Sequence, residues 1–336
     1  MSWLIDPFAD FVFMQRALLG CLTISLGATP VGVFLLLRRM SLTGDAMAHA
    51  ILPGAAVGYL VAGLNLGAMT IGGVAAGLIV AVLTGAVARF TALREDASLA
   101  AFYLISLALG VLLVSLKGSN VDLMHVLFGT VLALDDAALT LLCLITTFTL
   151  VALALAFRPL VLECADPRFL ASVSRWSGPV HFLFLGLVVL NLVAGFQALG
   201  TLMAVGIMIL PAAAARFWAN SIGGMLAVAA TVAAVSSVAG LLASYHAGLP
   251  SGPAIILAAG TIYLLSLAFG PSGSLAARYW PRAHREAGKG YPHDHSPPPA
   301  RLRRCTGLCR PCLCRGETEG HRYLFDPWRH RRECRR

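Results

Sequence analysis

Apolar residues run through this chain in long blocks, without the alternating or one-sided stripes of a soluble sheet or helix. Blocks of about 20 apolar residues, the length at which an α-helix crosses a bilayer, recur between residues 13 and 270. Gly, Pro, Asn and charged residues divide them into candidate spans at 13–37, 46–64, 68–90, 97–116, 138–157, 179–196, 198–217, 222–245 and 253–270. The sixth and seventh form a tight pair hinged near Gln197 and Gly200. A semi-apolar stretch, SNVDLMHVLFGTVLAL from Ser119, reads as interfacial, re-entrant or a further crossing. The pattern predicts an all-α fold, a polytopic transmembrane helical bundle of eight to ten spans with nine preferred. Runs such as GAAVGYLVAG and GGVAAGLIVAVLTGAVA supply small residues, which let helix backbones approach closely where lipid gives no hydrophobic drive to associate.

Composition agrees with the pattern. The 336 residues are 58% hydrophobic and 12% charged, against about half and about a quarter in soluble domains. MSWLIDPFADF carries two acids before its first base, unlike the start of a cleavable leader, so the first span is expected to persist.

Charge divides the chain in two. Residues 1–270 hold ten bases and ten acids, so the formal net charge of +9 belongs entirely to residues 271–336. The expected organisation is therefore a transmembrane domain over 1–270 and a basic Arg/Pro/Cys-rich tail over 271–336. The tail lacks the periodicity that builds a core and reads as disordered, or as an extended or out-of-frame stretch after about residue 300. Five of the eight cysteines (Cys305, Cys309, Cys312, Cys314, Cys334) lie there, but its one CxxC has no second pair to complete a zinc module. With the N-terminus outside, Arg38, Arg39, Arg89, Arg94, Arg158, Arg168, Arg175, Arg216 and the tail all fall on the cytoplasmic side. Only Arg16 and Lys117 fall outside, the asymmetry that membrane topology follows.

Within the apolar body, Asp45 and His49 of RRMSLTGDAMAHAILPG stand one helical turn apart. Side chains at i and i+4 share a helix face, and ionisable groups inside a membrane mark ion paths unless they pair with a partner. The competing reading is a structural ion pair between Asp45 and Arg38 or Arg39. Asp122 and His125, spaced i, i+3, are a possible secondary pair for an ion or a solvent-wetted pair at the membrane boundary. His181 and His246 sit near span ends and read as interfacial. Pro53, four residues after His49, and Pro211 are candidate gating hinges, because proline removes a helix hydrogen bond. In FRPLVLECADPRFLASVSRWSG, Asp166 before Pro167 reads as a helix N-cap followed by a first-turn proline.

No GxxxxGK[ST] loop occurs, so the chain is not expected to hydrolyse ATP, and no HExxH occurs, which disfavours a zinc protease. The expectation is a transport protein and not an enzyme, with no interaction with nucleic acid.

Four ordered blocks, RRMSLTGDAMAHAILPGAAVGY, VDLMHVLFGTVLALD, QALGTLMAVGIMILPAAAARF and SYHAGLPSGPAIIL, resemble the permease subunit of manganese, zinc and iron ABC importers over most of residues 10–270. GDAMAH is similar to that family's GDA-small-SH type motif, with Ala48 where the family has serine. The resemblance implies a type II ABC importer-like homodimer in the bacterial inner membrane. It also implies cytoplasmic ATPase subunits, an extracytoplasmic metal-binding protein as donor, and a divalent metal as cargo with no permanently bound cofactor. Asp45 and His49 would line the path and coordinate the ion, zinc or manganese, with iron as a further candidate. Asp166, Pro167, Arg168 and Phe169 would correspond to the family's ATPase-coupling helix, making the loop from Glu163 to Arg175 a contact surface. Read from the residues alone, a stand-alone proton-coupled secondary transporter with Asp45 as the proton site is the alternative.

Overall fold

The computed structural model describes residues 8, 11–63, 65–91, 95–116, 134–165, 177–272 and 274, and all of their regular structure is helical. In chain order the helices are α1 (Val12–Leu37), α2 (Ser41–Ala50), α3 (Leu52–Ala62), α4 (Leu66–Phe90) and α5 (Glu95–Leu116). Then come α6 (Asp136–Ala165), α7 (Ser177–Leu199), α8 (Thr201–Ala215), α9 (Ile222–Ala247) and α10 (Ser251–Phe269). The tail from 275 onward, the pair Asp122 and His125, and the segment Asp166, Pro167, Arg168 and Phe169 lie outside the described residues.

Each apolar block has a helix at its place. Among the described residues, seven segments are long and apolar enough to cross a membrane, with α2 and α3 counted together as Ser41–Ala62; Ala97–Leu113 and Thr201–Ala215 are shorter apolar helices. Two expectations need correction. The block at 46–64 begins earlier, at Ser41, and is two helices that meet at Ile51 (φ −74°, ψ −28°), with Pro53 in the first turn of the second. The block at 138–157 does not stop at Arg158. Its helix continues through Pro159 to Ala165, so Glu163 is helical and is not part of a loop. An exposed Arg158 and a single proline did not end it, because Leu160 and Glu163 on the next turn are buried.

Contacts between helix ends sort the bundle into two faces. Arg16 at the start of α1 reaches Asp136 at the start of α6, and Phe11 packs on Tyr245 at the end of α9. On the opposite face, Arg38 after α1 meets Glu163 near the end of α6 and His181 near the start of α7. Val33 near the end of α1 packs there with Ala212, Ala215 and Met225. So α1 and α6 run parallel, and α7 and α9 run against them.

Glycines set the close approaches. A Cβ on Gly54 would overlap the Gly72 carbonyl, and one on Gly72 would overlap the Gly54 carbonyl, so α3 and α4 pack backbone to backbone. In the same way Gly32 lies against the Met208 carbonyl, which brings α8 onto α1, and Gly44 lets the Met208 side chain reach α2. The helices α1 and α7 are the most enclosed, and Phe34 and Phe184, one from each, meet edge to face in the core. Leu155, Ile71 and Leu144 are among many large apolar side chains left exposed, as expected of a surface that faces lipid.

Candidate functional site

A three-residue turn carries the chain from α1 into α2. The Arg39 N–H donates to the Leu36 carbonyl and the Met40 N–H to the Leu35 carbonyl, the paired bonds of a Schellman cap. Arg39 holds the left-handed position of that cap (φ 60°), where glycine is the usual residue, so the turn stores some backbone strain. Ser41 then starts α2, and Asp45 lies in its second turn.

The residues of α2 are buried on every side but one. Thr43, Gly44, Ala46, Met47, Ala48 and Ala50 are buried; Leu42 and Asp45 are exposed and His49 half-buried, at i, i+3 and i+7 along a single stripe. The Asp45 side chain is 65% exposed and that of His49 29%. Their facing atoms, Asp45 Oδ1 and His49 Nε2, are 3.9 Å apart, too far for a hydrogen bond, so both retain open coordination. His49 Nδ1 is buried without a hydrogen-bond partner, and its ring lies 6.3 Å from that of Tyr103 on α5. Among the described residues no cluster of three or more His, Cys, Asp or Glu could hold a metal.

Beyond His49 the helical hydrogen bonding is interrupted. Pro53 lacks the N–H that would bond the His49 carbonyl. Ser106 on α5 donates its hydroxyl to the neighbouring Ala50 carbonyl at 2.9 Å, and Gly110 makes room for the backbone of Pro53. The junction of α2 and α3 is therefore braced from α5. Pro211 is buried inside α8, three residues after the Met208 that touches Gly44.

Asp45 does not pair with either arginine. The arginine beside it in sequence is engaged elsewhere: Arg38 Nη2 donates to Glu163 Oε2 at 2.7 Å, with the two side chains only 6% and 8% exposed. The other carboxylate oxygen of Glu163 lies 3.3 Å from His181 Nδ1, and the Arg38 guanidinium stacks over the Phe184 ring at 4.2 Å. This cluster escapes a reading of the sequence. Glu163 looks like a loop residue and His181 an interfacial one, and the partners lie 125 and 143 positions from Arg38. The available signal was an acid followed by no break in the apolar run PLVLECA.

Comparisons with known proteins cover nearly the same region. The model of the ABC 3 transport family matches residues 10–270. The manganese transport system membrane protein MntC of Halalkalibacterium halodurans is 32% identical over 281 residues, covering 83% of this chain and 95% of that protein. The manganese import system permease protein ScaB of Streptococcus parasanguinis is 33% identical over 267 residues, covering 80% and 94%. Among solved structures, PsaBC from Streptococcus pneumoniae in complex with Fab superposes with a TM-score of 0.73 at 30% identity, covering 82% of this chain and 99% of the matched one.

Proposed function

The chain belongs to the ABC 3 transport family, and from that premise we propose that it is the membrane permease subunit of an ATP-driven importer for a divalent transition metal, manganese or zinc. The observation that carries the reading is the stripe on α2: beyond its first residue, Ser41, an otherwise buried helix leaves open Leu42, Asp45 and His49. An ionisable side chain facing outward within a membrane helix is costly unless it meets an ion, water or a second chain. Two copies of the subunit meeting along this stripe would bring two carboxylates and two imidazoles to one ion. Carboxylate oxygen suits manganese and imidazole suits zinc, so the ligand set accepts both. The relatives named for manganese favour manganese.

Asp45 and His49 are the cargo ligands in this reading, with Asp122 and His125 as a secondary pair along the path. Asp166, Pro167, Arg168 and Phe169 dock on a cytoplasmic ATPase subunit, and an extracytoplasmic metal-binding protein delivers the ion. That docking makes the face bearing Arg38 cytoplasmic. The N-terminus is then outside and the C-terminus inside a bacterial cell membrane, with nine crossings when α2 and α3 count as one. Pro53 and Pro211 act as hinges at the junction below His49 and in α8; Pro53→Ala with unchanged metal uptake would remove the first of these roles.

Reconstitution tests the whole reading. Proteoliposomes holding the chain with its ATPase subunits should take up Mn²⁺ only when ATP is hydrolysed, and Zn²⁺ should compete. Uptake driven by a proton gradient with no ATPase subunit would overturn it in favour of a secondary transporter.

A further inference from the structure

We propose that Arg38, Glu163 and His181 form a buried brace that positions the Asp45 and His49 helix according to the state of the ATPase. The inference rests on the function proposed above, in which residues 166–169 contact that ATPase. Glu163 lies three residues before that segment and His181 twelve residues after it, so the brace joins both stems of the connection between α6 and α7. Its third member, Arg38, is the C-cap of α1 and opens the three-residue turn into α2. Only six residues separate Arg38 from Asp45 along the chain. A displacement of either stem therefore reaches the ligand-bearing helix through the Arg38–Glu163 ion pair, the imidazole contacts of His181 and one short, strained turn.

Stability does not account for the brace. Burying an ion pair costs desolvation that roughly cancels its attraction, and well-packed apolar residues often replace such pairs without loss. What the ionic version adds is direction. Glu163 offers one oxygen to Arg38 and the other to His181, and Arg38 also stacks on Phe184 of α7, so three helix ends are held in one relative arrangement. Arg38 Nε is buried with no partner, leaving the guanidinium a donor for an alternative arrangement of the same ends. Here the three residues are positioning residues: none of them touches the cargo ligands.

The experiment uses the complete complex in proteoliposomes and reads Mn²⁺ carried per ATP hydrolysed. Glu163→Gln should assemble, keep its ATPase rate near that of the unaltered complex, and lower Mn²⁺ per ATP about fivefold or more, a typical size for coupling between sites. The double variant Arg38→Met with Glu163→Leu keeps the volume apolar and removes the unpaired charge, so it separates loss of the brace from loss of folding. It should show the same lowered ratio. An assembled variant of either kind with an unchanged ratio overturns the proposal. A third measurement needs no variant: trapping the unaltered complex with ATP should change amide hydrogen exchange over residues 38–49, and no change there also overturns it. Uptake without an ATPase subunit, read first in the unaltered protein, would instead sink the function on which the brace depends.

Discussion

Arg38 and Asp45 lie seven residues apart in the chain, and the two groups of ionisable residues they belong to are built in opposite ways. At Arg38 the charges are closed on one another, 2.7 Å from Glu163 and nearly sealed from the surroundings. At Asp45 and His49 the facing atoms stand 3.9 Å apart, the carboxylate is mostly exposed, and a ring nitrogen has no partner. Intramembrane charge alone thus does not identify an ion path. A group satisfied by its own chain holds helices together, whereas a group left incomplete by its own chain is the better candidate for binding something else.

The largest effect should come from emptying the open site. With Asp45 and His49 as the proposed cargo ligands, Asp45→Ala or His49→Ala should lower uptake about a hundredfold or more, beyond the loss typical of changing a supporting residue around a metal. Co-purification with the ATPase subunits and the unfolding midpoint should stay as they were, because neither side chain holds a helix in place. Uptake assays beside the purification yield check both, and normal uptake by these two variants would dissolve the contrast.

The closed group should show the reverse. Arg38→Ala strands the buried Glu163 carboxylate, and leaving one partner of such a pair costs about 3–5 kcal/mol. Unfolding titrations in mixed micelles should find the chain destabilised by that order, while Arg38→Met combined with Glu163→Leu should recover most of it. An Arg38→Ala chain as stable as the original would mean that water already reaches Glu163.

These two groups also differ in how far the sequence discloses them. Asp45 and His49 are legible because their relation is local: spacing i, i+4 on a helix is a property of five consecutive residues and an apolar context. The helices are legible for the same reason, since a long apolar run with no break states its own length, and Gly200 (φ 89°) does mark the turn between α7 and α8. The brace is not legible, because it joins α1, α6 and α7 and exists only once the bundle has packed. The junction at Ile51 shares that obscurity. Pro53 announces a weakened helix, but that Ser106 and Gly110 of α5 brace the junction follows from tertiary contact alone.

Ser106 offers a smaller perturbation placed beside the open site. Ser106→Ala removes the hydroxyl bonded to the Ala50 carbonyl, and a hydrogen bond of this kind within a membrane bundle contributes about 0.5–1.5 kcal/mol. The expected outcome is a stability loss of that size with Asp45 and His49 still present, and a Mn²⁺ affinity that weakens only slightly. Equilibrium binding of Mn²⁺ to the purified complex measures it; a loss as large as that of His49→Ala would make Ser106 part of the ligand machinery itself.

The smallest effect should come from the second arginine–carboxylate contact in the bundle. Arg16 and Asp136 are 3.0 Å apart at the face opposite Arg38, with side chains 41% and 69% exposed. Exposed pairs contribute no more than about 1 kcal/mol and lose that to salt, whereas buried pairs are screened far less. Arg16→Ala should therefore shift the unfolding midpoint slightly at low ionic strength, and the shift should vanish in concentrated NaCl. The destabilisation by Arg38→Ala should survive the same salt, since counterions do not reach a pair that is 6% and 8% exposed. Equal salt sensitivity for the two arginines would show that burial is not what separates the closed group from the rest, and that the Arg38 pair is held at the surface of the membrane body as Arg16 is.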